Sequence, residues 1–165
     1  MAQNGVVADN LFEISTKGAM SQSDYRYKEL YNKVSTSEYL LLKFAYAEGS
    51  TFKDKMPLIK LPEMYYILAE AYNEKNDQVT AVGYLNTVRR NRAIQSTYDL
   101  APSLTKDAVT AEIEREYRKE FVSEGQLFYY YKRLGKTTIT GTSKPMDNTV
   151  YVLPMPQAEL EMGGR

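Results

Sequence analysis

Apolar residues recur at spacings of three and four along two neighbouring stretches of the chain, as one face of a helix requires. In the first stretch these residues are Leu61, Met64, Tyr65, Leu68 and Tyr72. In the second they are Ala81, Leu85 and Val88. Polar residues 73–77 separate the two stretches, so we predict an antiparallel helical hairpin over residues 61–92. Its length is close to the roughly 34-residue period of tetratricopeptide repeats.

A third helical pattern begins near Thr105, a residue type that caps helix N-termini well. Its apolar residues recur every four positions: Val109, Ile113, Tyr117 and Phe121. Gly125 interrupts the pattern, an aromatic run follows, and Gly135 ends it. We therefore predict helices over residues 105–135 with a break at Gly125. Of the consecutive tyrosines 129–131, at least one should lie in the core, because neighbouring helical residues point in different directions.

The pattern outside these helices is weaker. Apolar residues 11–14 suggest a short strand, and the polar, Tyr-rich residues 21–32 suggest a loop or a short extended piece. Residues 151–156 should be extended because two prolines push the residues before them away from helical geometry. Residues 157–162 suggest a final helical turn. The predicted fold is mainly α: a tetratricopeptide-like hairpin with additional helices, irregular loops and a few short strands.

The length of 165 residues predicts a single domain, 1–165, that ends in a closing tail over residues 150–160. One hairpin cannot bury its own apolar face, and repeat arrays usually need about three units. Either non-repeat segments complete the core, or the chain is a piece of a longer protein. We favour the second interpretation.

Composition narrows the possible functions. Lys and Arg together number 21, as do Asp and Glu, so the net charge is zero and a nucleic-acid partner is not expected. The chain has no Cys and no His, which removes disulfides, thiolate nucleophiles, His-based acid/base chemistry and zinc sites built on these residues. We predict no cofactor and no metal site. Residues 1–5 do not resemble a signal peptide, so any export signal would lie outside this sequence.

Four glutamates stand at strict four-residue spacing: Glu112, Glu116, Glu120 and Glu124. Neighbours at this spacing lie about 5–6 Å apart at Cβ, within the range of a glycosidase carboxylate pair. However, Arg115, Arg118 and Lys119 are close enough for ordinary ion pairs along a solvated or half-buried face. Catalytic pairs usually come from separate elements that face a cleft. We therefore interpret the row as part of a structural helix and expect no catalytic residues.

Tyrosine is the over-represented residue, with 15 copies. If residues 21–32 are extended, Tyr25, Tyr27 and Tyr31 share one face, because alternate residues of a strand point the same way. These three are the candidate ligand-binding residues, since an exposed aromatic face can stack on a sugar. Packing or backbone support is the competing role for them and is the one we favour.

The order of residues between 114 and 135 resembles the C-terminal signature of the SusD/RagB family. The matching residues are Glu114, Arg115, Glu120, Glu124, Gly125, Phe128 and Arg133. Residues 57–72 with 85–89 resemble the helical hairpin of that family, and residues 151–160 resemble its closing tail. Residues 11–14 are similar to a strand that precedes this region. The similarity covers most of the chain, although family members are much longer.

The resemblance implies a surface-exposed lipoprotein of the outer membrane that binds glycans or other nutrients in polysaccharide utilization. It would deliver them to a partner, a SusC-like TonB-dependent transporter, and would catalyse no reaction. Contact with the membrane would come only through a lipid anchor that this sequence lacks. The signature residues would then be structural. The alternative is a tetratricopeptide-like protein-interaction scaffold without a ligand site of its own.

Overall fold

The computed structural model describes residues 2–4, 11–35, 38–45, 48–51, 53, 55, 57–139 and 142–163. The chain divides into two compact units, Met1–Val122 and Ser123–Arg165. Over these residues the fold is mainly helical with one small sheet, which confirms the predicted fold class. That the whole chain forms one domain stays a prediction.

The first unit contains three strands and five α-helices within its described residues. In chain order these are β1 (Ala2–Asn4), α1 (Ile14–Ser23), α2 (Tyr25–Leu30), β2 (Tyr31–Lys33), β3 (Glu38–Leu41), α3 (Leu61–Glu74), α4 (Gln78–Arg90), a short 3-10 helix (Ser96–Tyr98) and α5 (Lys106–Glu120). The strands form an antiparallel sheet in the order β1-β3-β2. Leu40 of β3 is the common partner of Ala2 and Asn32 in this register.

Helices α3 and α4 form the predicted hairpin, but α3 turns a different face to the core. Its buried residues are Tyr66, Ala69 and Asn73, whereas Leu61 is 68% exposed and Leu68 is 40% exposed. The predicted helical period of α3 was correct, but the predicted apolar face is not the one that the core buries. Helix α5 packs against the Tyr66 side, with the rings of Tyr66 and Tyr117 5.1 Å apart. The Asn73 amide donates to the backbone oxygen of Lys106, a polar contact that the pattern of apolar residues does not predict.

Helix α5 begins where the sequence indicates. The Thr105 hydroxyl accepts a hydrogen bond from the backbone N–H of Ala108 at 3.3 Å, which is the expected N-cap contact. All four residues of its predicted apolar stripe are buried: Val109, Ile113, Tyr117 and Phe121. In α4, the predicted core residues Ala81, Leu85 and Val88 are buried as well. These three helices therefore supply most of the core of the first unit.

The two predictions for the N-terminal region were wrong. Residues 11 and 12 are helical rather than a strand, and Phe12 is buried in an aromatic cluster with Tyr31 and Tyr39. Residues 21–23 and 25–30, expected as loop or extended chain, belong to α1 and α2; Asp24 between the two helices and residues 31–32 in β2 are extended. The missed signal was Asp24, whose carboxylate accepts from the Arg26 N–H at 2.9 Å and caps α2.

The second unit contains, among its described residues, the helices α6 (Gln126–Arg133), α7 (Asn148–Tyr151) and α8 (Gln157–Met162). Gly125 adopts a φ of 86° at the N-cap of α6, a left-handed conformation that favours glycine. Tyr130 and Tyr131 are buried and Tyr129 is 70% exposed, as the prediction for this run requires. Tyr151 ends α7, so the extended stretch begins after it rather than at it. No helix in the described ranges is long and apolar enough to span a membrane.

Candidate functional site: an ionic cluster and the cleft beside it

Seven charged side chains from α2, α4, α5 and the residues next to them form a group in the interior of the first unit. We call this group the ionic cluster: Asp24, Arg26, Arg89, Arg92, Glu116, Lys119 and Glu120. Six of the seven are buried, and Arg92 keeps 26% of its side chain exposed. Charges in a protein interior persist only when they are paired, so the contacts within this group decide what it can do.

Arg26 is the centre of the ionic cluster. Its Nε donates to Asp24 Oδ1 at 3.0 Å and its Nη2 donates to Asp24 Oδ2 at 2.7 Å. The same Nη2 lies 2.8 Å from Glu116 Oε2, and Nη1 lies 3.4 Å from Glu120 Oε2. Burial alone would lower the pKa of Arg26, but the charges of Glu116 and Asp24 outweigh it and raise that pKa well above its ordinary value. Arg26 therefore joins α2 to α5 as a permanent cation.

Glu116 is fully buried and faces three cations. Besides Arg26, its Oε1 lies 3.2 Å from Arg89 Nη1 and 3.5 Å from Lys119 Nζ. Burial would raise the pKa of Glu116, yet Arg26, Lys119 and Arg89 together lower it far below the ordinary value of a glutamate. Burial also raises the pKa of the neighbouring Tyr66 hydroxyl, and the charge of Glu116 raises it further. Glu116 is thus ionised throughout the range in which a general acid would need to hold a proton.

Glu120 forms the second carboxylate centre. Arg92 binds it with two bonds, Nε to Oε2 at 3.0 Å and Nη2 to Oε1 at 2.8 Å. Burial opposes ionisation of Glu120, but the hydrogen bond from Arg92 and the charges of Arg26 and Arg92 lower its pKa. The bond to Glu120 in turn raises the pKa of Arg92. This pair ties the end of α4 to the end of α5.

A cleft of about 400 Å³ opens beside the ionic cluster. It is lined by Tyr25, Arg26, Glu29, Leu30, Lys43, Lys60, Asn91, Arg92 and Glu120. Tyr25 is 54% exposed, and its backbone N–H donates to the Arg92 carbonyl at 2.9 Å, which fixes the start of α2 against the end of α4. A volume of this size lies within the range of small-molecule sites. We name it the Tyr25 cleft.

Two lysines stand at the edge of the Tyr25 cleft. The Lys43 ammonium donates to the backbone oxygen of Glu120 and, at 3.3 Å, to that of Val122, at the C-terminal end of α5. The Lys60 ammonium lies 5.9 Å from the centre of the Phe121 ring. Carbonyl oxygens at a helix C-terminus and the face of an aromatic ring both attract cations. These contacts hold both ammonium groups at the cleft.

Two further clefts, of about 390 and 460 Å³, lie on the hairpin. Both are lined in part by Tyr65 and Thr87. Within the described residues, no group of three or more acidic side chains is placed to hold a metal ion.

Comparison with family models assigns the chain to a family. The model of the SusD family matches residues 5–162, which is nearly the whole sequence. The chain belongs to the SusD family. SusD proteins are nutrient-binding proteins associated with the outer membrane. Comparisons with curated proteins and with solved structures found no match.

The signature that pointed to the SusD family lies in both units. In the first, Glu120 belongs to the ionic cluster, Glu114 is half-buried, and Arg115 pairs with Glu112 and, at 3.2 Å, with Glu13. In the second, Glu124 and Phe128 are half-buried, Gly125 caps α6, and the Arg133 guanidinium lies 5.6 Å from the Tyr130 ring centre. A structural role for the whole set stays a prediction.

The glutamate row of this SusD protein is buried at its centre rather than along a solvated or half-buried face. Local pairing explains only part of it, through Arg115 with Glu112 and Lys119 with Glu116. The closest partners of Glu116 and Glu120 are Arg26, Arg89 and Arg92, from 27 to 94 residues away along the chain and from other elements. The spacing of charges along α5 alone could not show these contacts.

The three tyrosines proposed from the sequence do not share a face, because residues 25–30 are helical. Tyr27 packs against Phe12, and its hydroxyl lies 3.0 Å from that of Tyr39. Tyr31 is buried, and burial raises its pKa to about 12. Tyr25 alone of the three is exposed, and it lines the cleft. Binding of a ligand by these residues stays a prediction, and the structure favours Tyr25 as the residue to test.

Proposed function

We propose that this chain is a glycan-binding SusD protein at the cell surface that delivers its ligand to a partner TonB-dependent transporter. The observation that carries the proposal is the SusD family match over residues 5–162. The protein catalyses no reaction in this scheme. It is held at the membrane by a lipid anchor and binds its ligand without a cofactor.

The ionic cluster supports binding rather than catalysis. A glycosidase needs one carboxyl group that holds a proton near neutral pH and a second that is ionised, both open to substrate. Glu116 and Glu120 have lowered pKa values, and Glu116 is fully buried. Their cationic partners serve to hold three helical segments together. The cluster is therefore scaffold that positions the Tyr25 cleft.

The Tyr25 cleft supplies the groups that a sugar ring needs. The exposed face of Tyr25 offers an apolar surface for the C–H groups of a sugar, and the Asn91 amide and the Arg92 guanidinium offer hydrogen bonds to its hydroxyls. Such sites combine an apolar platform with a few placed polar groups. We expect weak binding by this chain alone.

A co-purification experiment tests delivery to a transporter. The tagged full-length protein is expressed in its own bacterium, recovered from detergent-solubilised outer membranes, and its partners are identified by mass spectrometry. We expect a TonB-dependent transporter in amounts close to one per SusD protein, and its gene directly upstream. Recovery of the protein without any such transporter would refute delivery.

Ligand binding is tested separately on this chain. Tyr25→Ala should weaken binding of a glycan, whereas Tyr129→Ala, which removes an even more exposed ring in the second unit, should leave it unchanged. Stacking on one aromatic ring contributes about 1 kcal/mol, so the expected loss is about five-fold. If no glycan binds and the transporter is absent as well, the tetratricopeptide-like interaction scaffold becomes the better description.

A further inference from the structure

We infer that the helical hairpin carries a second glycan site, which takes an extended, uncharged oligosaccharide along α4. The inference rests on the proposed function, because it names the class of glycan and adds a place for it. It arises from two clefts that share residues, a row of tyrosine rings and a glycine in the middle of α4.

The two clefts on the hairpin form one groove. Tyr65 and Thr87 line both, so the volumes of about 390 and 460 Å³ meet at this pair of residues. We call the combined space the hairpin groove, and its defining residues are Leu61 and Tyr65 on α3 with Thr80, Gly83, Thr87 and Asn91 along α4. Each volume is within the range of small-molecule sites.

The hairpin groove follows the axis of α4. Its residues on this side recur at spacings of three or four and therefore share one face of the helix: Thr80, Gly83, Thr87 and Asn91. At 1.5 Å per residue they extend over about 16 Å, which is longer than a single sugar ring. Asn91 and Arg92 also line the Tyr25 cleft, so a chain of sugars in the groove can continue into that cleft.

Tyrosine rings stand along the groove in fixed positions. The ring centres of Tyr65 and Tyr84 are 5.9 Å apart with their planes at 68°, and the Tyr72 ring lies 5.6 Å beyond Tyr84. Tyr65 and Tyr84 are half-buried, so contact between the rings orients them while part of each stays accessible. Rings that are already ordered offer an apolar surface to the C–H groups of a sugar at little further cost in entropy.

The polar groups of the groove are almost all uncharged. The hydroxyls of Tyr65 and Tyr84 can donate and accept hydrogen bonds. The Asn91 side chain donates through Nδ2 to the Thr87 carbonyl at 2.8 Å, which leaves its Oδ1 as an acceptor. Among the described residues that line the groove, Arg92 alone is charged, and two bonds commit it to Glu120. Such a lining suits hydroxyl groups better than ions, which lose hydration on entering it.

Gly83 is an independent observation that points to a ligand at the same place. It is exposed in the middle of α4, where glycine is the least favourable residue apart from proline. A Cβ added there would meet no atom within 4 Å, so packing among the described residues does not require glycine. The missing side chain opens the floor of the groove to the backbone and lets a ligand come close.

A panel of oligosaccharides tests the inference by NMR chemical-shift titration of this chain, which detects weak complexes. The panel contains cello-, xylo-, manno- and malto-oligosaccharides, each as disaccharide and hexasaccharide, with hexagalacturonate as the charged comparison. We expect at least one neutral hexasaccharide to bind about ten-fold more tightly than its disaccharide, because linked rings in adjoining clefts bind as one ligand. Its affinity should change less than about two-fold between low and high NaCl concentration. The shifted amides should include those of Gly83, Tyr84 and Thr87.

A blocking variant and a matched control locate the site. Gly83→Gln places a side chain in the groove and should weaken binding of that hexasaccharide about ten-fold. Its melting temperature should not fall, because glutamine is a better helix former than glycine. Ala71→Gln adds the same side chain at an exposed helical position outside the groove lining and should leave binding unchanged. Tyr65→Ala, which removes the ring shared by both clefts, should weaken binding about five-fold.

Each outcome has a distinct meaning. Dependence on glycan length together with the Gly83 and Tyr65 effects supports the inference. If a glycan binds equally well to Gly83→Gln, the hairpin is not its site, and the inference fails while the proposed function stands. Tighter binding of hexagalacturonate than of every neutral hexasaccharide at the same amides overturns the uncharged class.

Absence of any shift at these amides with the whole panel overturns the groove as a glycan site. Co-purification with full-length protein that carries Gly83→Gln then tests the other occupant. Loss of the transporter from that variant alone would assign the groove to a protein partner. Delivery by the unmodified protein is judged independently by the co-purification described above.

Discussion

Replacing Glu116 with Gln should be among the most damaging substitutions on the polar side of the core. The change keeps the size of the side chain and removes one negative charge. Arg26 at 2.8 Å, Arg89 at 3.2 Å and Lys119 at 3.5 Å would lose the carboxylate that they share. Removing one partner from a buried ion pair typically costs about 3–5 kcal/mol, because the other charge is left uncompensated. The total free energy of unfolding of a native protein is only about 5–15 kcal/mol.

The assay is urea unfolding followed by circular dichroism, with thermal melts as a second measure. At about 2–4 °C per kcal/mol for a chain of this length, the melting temperature should fall by about 6–20 °C. The matched control is Glu74→Gln, whose pair with Lys106 is just as short at 2.7 Å but exposed. Exposed pairs contribute at most about 1 kcal/mol. Losses of the same size for the two variants would refute the reasoning that burial makes this cluster matter.

Three further outcomes are expected. The lowered pKa values of Glu116 and Glu120 mean that their stabilisation is complete above about pH 4.5 and is lost as the pH falls through the folded pKa values. Free energies of unfolding, obtained from urea curves at pH values downward from 5, should therefore fall more steeply for the unmodified chain than for Glu116→Gln, by up to about 1.4 kcal/mol per pH unit. Parallel pH dependences would contradict this. In chemical denaturation, Leu85→Ala should lower the free energy of unfolding by about 2–5 kcal/mol and Leu61→Ala by less than about 0.5. The reason is that Leu85 is fully buried, whereas Leu61 is 68% exposed. The reverse order would indicate that the core uses the face of α3 that the sequence suggested. Ala93 has a φ of 64°, so Ala93→Gly should stabilise the fold by about 0.5–1 kcal/mol in the same assay. The same change at Ala71, which is exposed and helical, should destabilise the fold by about 1 kcal/mol. A loss of stability at both positions would argue against left-handed strain at Ala93.

Sequence periodicity located the helices more reliably than it located their faces. The predicted apolar stripe of α5 was correct because only one side of this helix packs against apolar partners. In α3, two apolar rows lie side by side, and the core uses the row that contains the polar Asn73 and the hydroxyl-bearing Tyr66. Which row is buried depends on where α5 packs, and that is a tertiary contact between residues about 35–50 positions apart. A pattern read along one segment does not contain it.

The candidate site was less accessible to sequence reasoning than the fold. Glu120 could be named from its place in the signature, but its partner Arg92 belongs to a different helix region and carries no local motif. The tyrosines were judged from an assumed extended conformation, which the Asp24 cap of α2 prevents. Tyr25 remains a candidate, although the extended segment from which it was proposed is absent. The clefts themselves come from the packing of separate elements, so no spacing of residues along the sequence predicts them.

Asp24 has two roles that make the Tyr25 cleft part of a cooperative folding unit. It caps α2 through the Arg26 N–H and clamps the Arg26 guanidinium within the cluster. A six-residue helix has almost no stability of its own. The ordering of α2, and with it the placement of Tyr25, is therefore achieved in the same step as the burial of the charges. If the Tyr25 cleft binds a ligand as proposed, the chain loses little conformational entropy there on binding, since folding has already removed it.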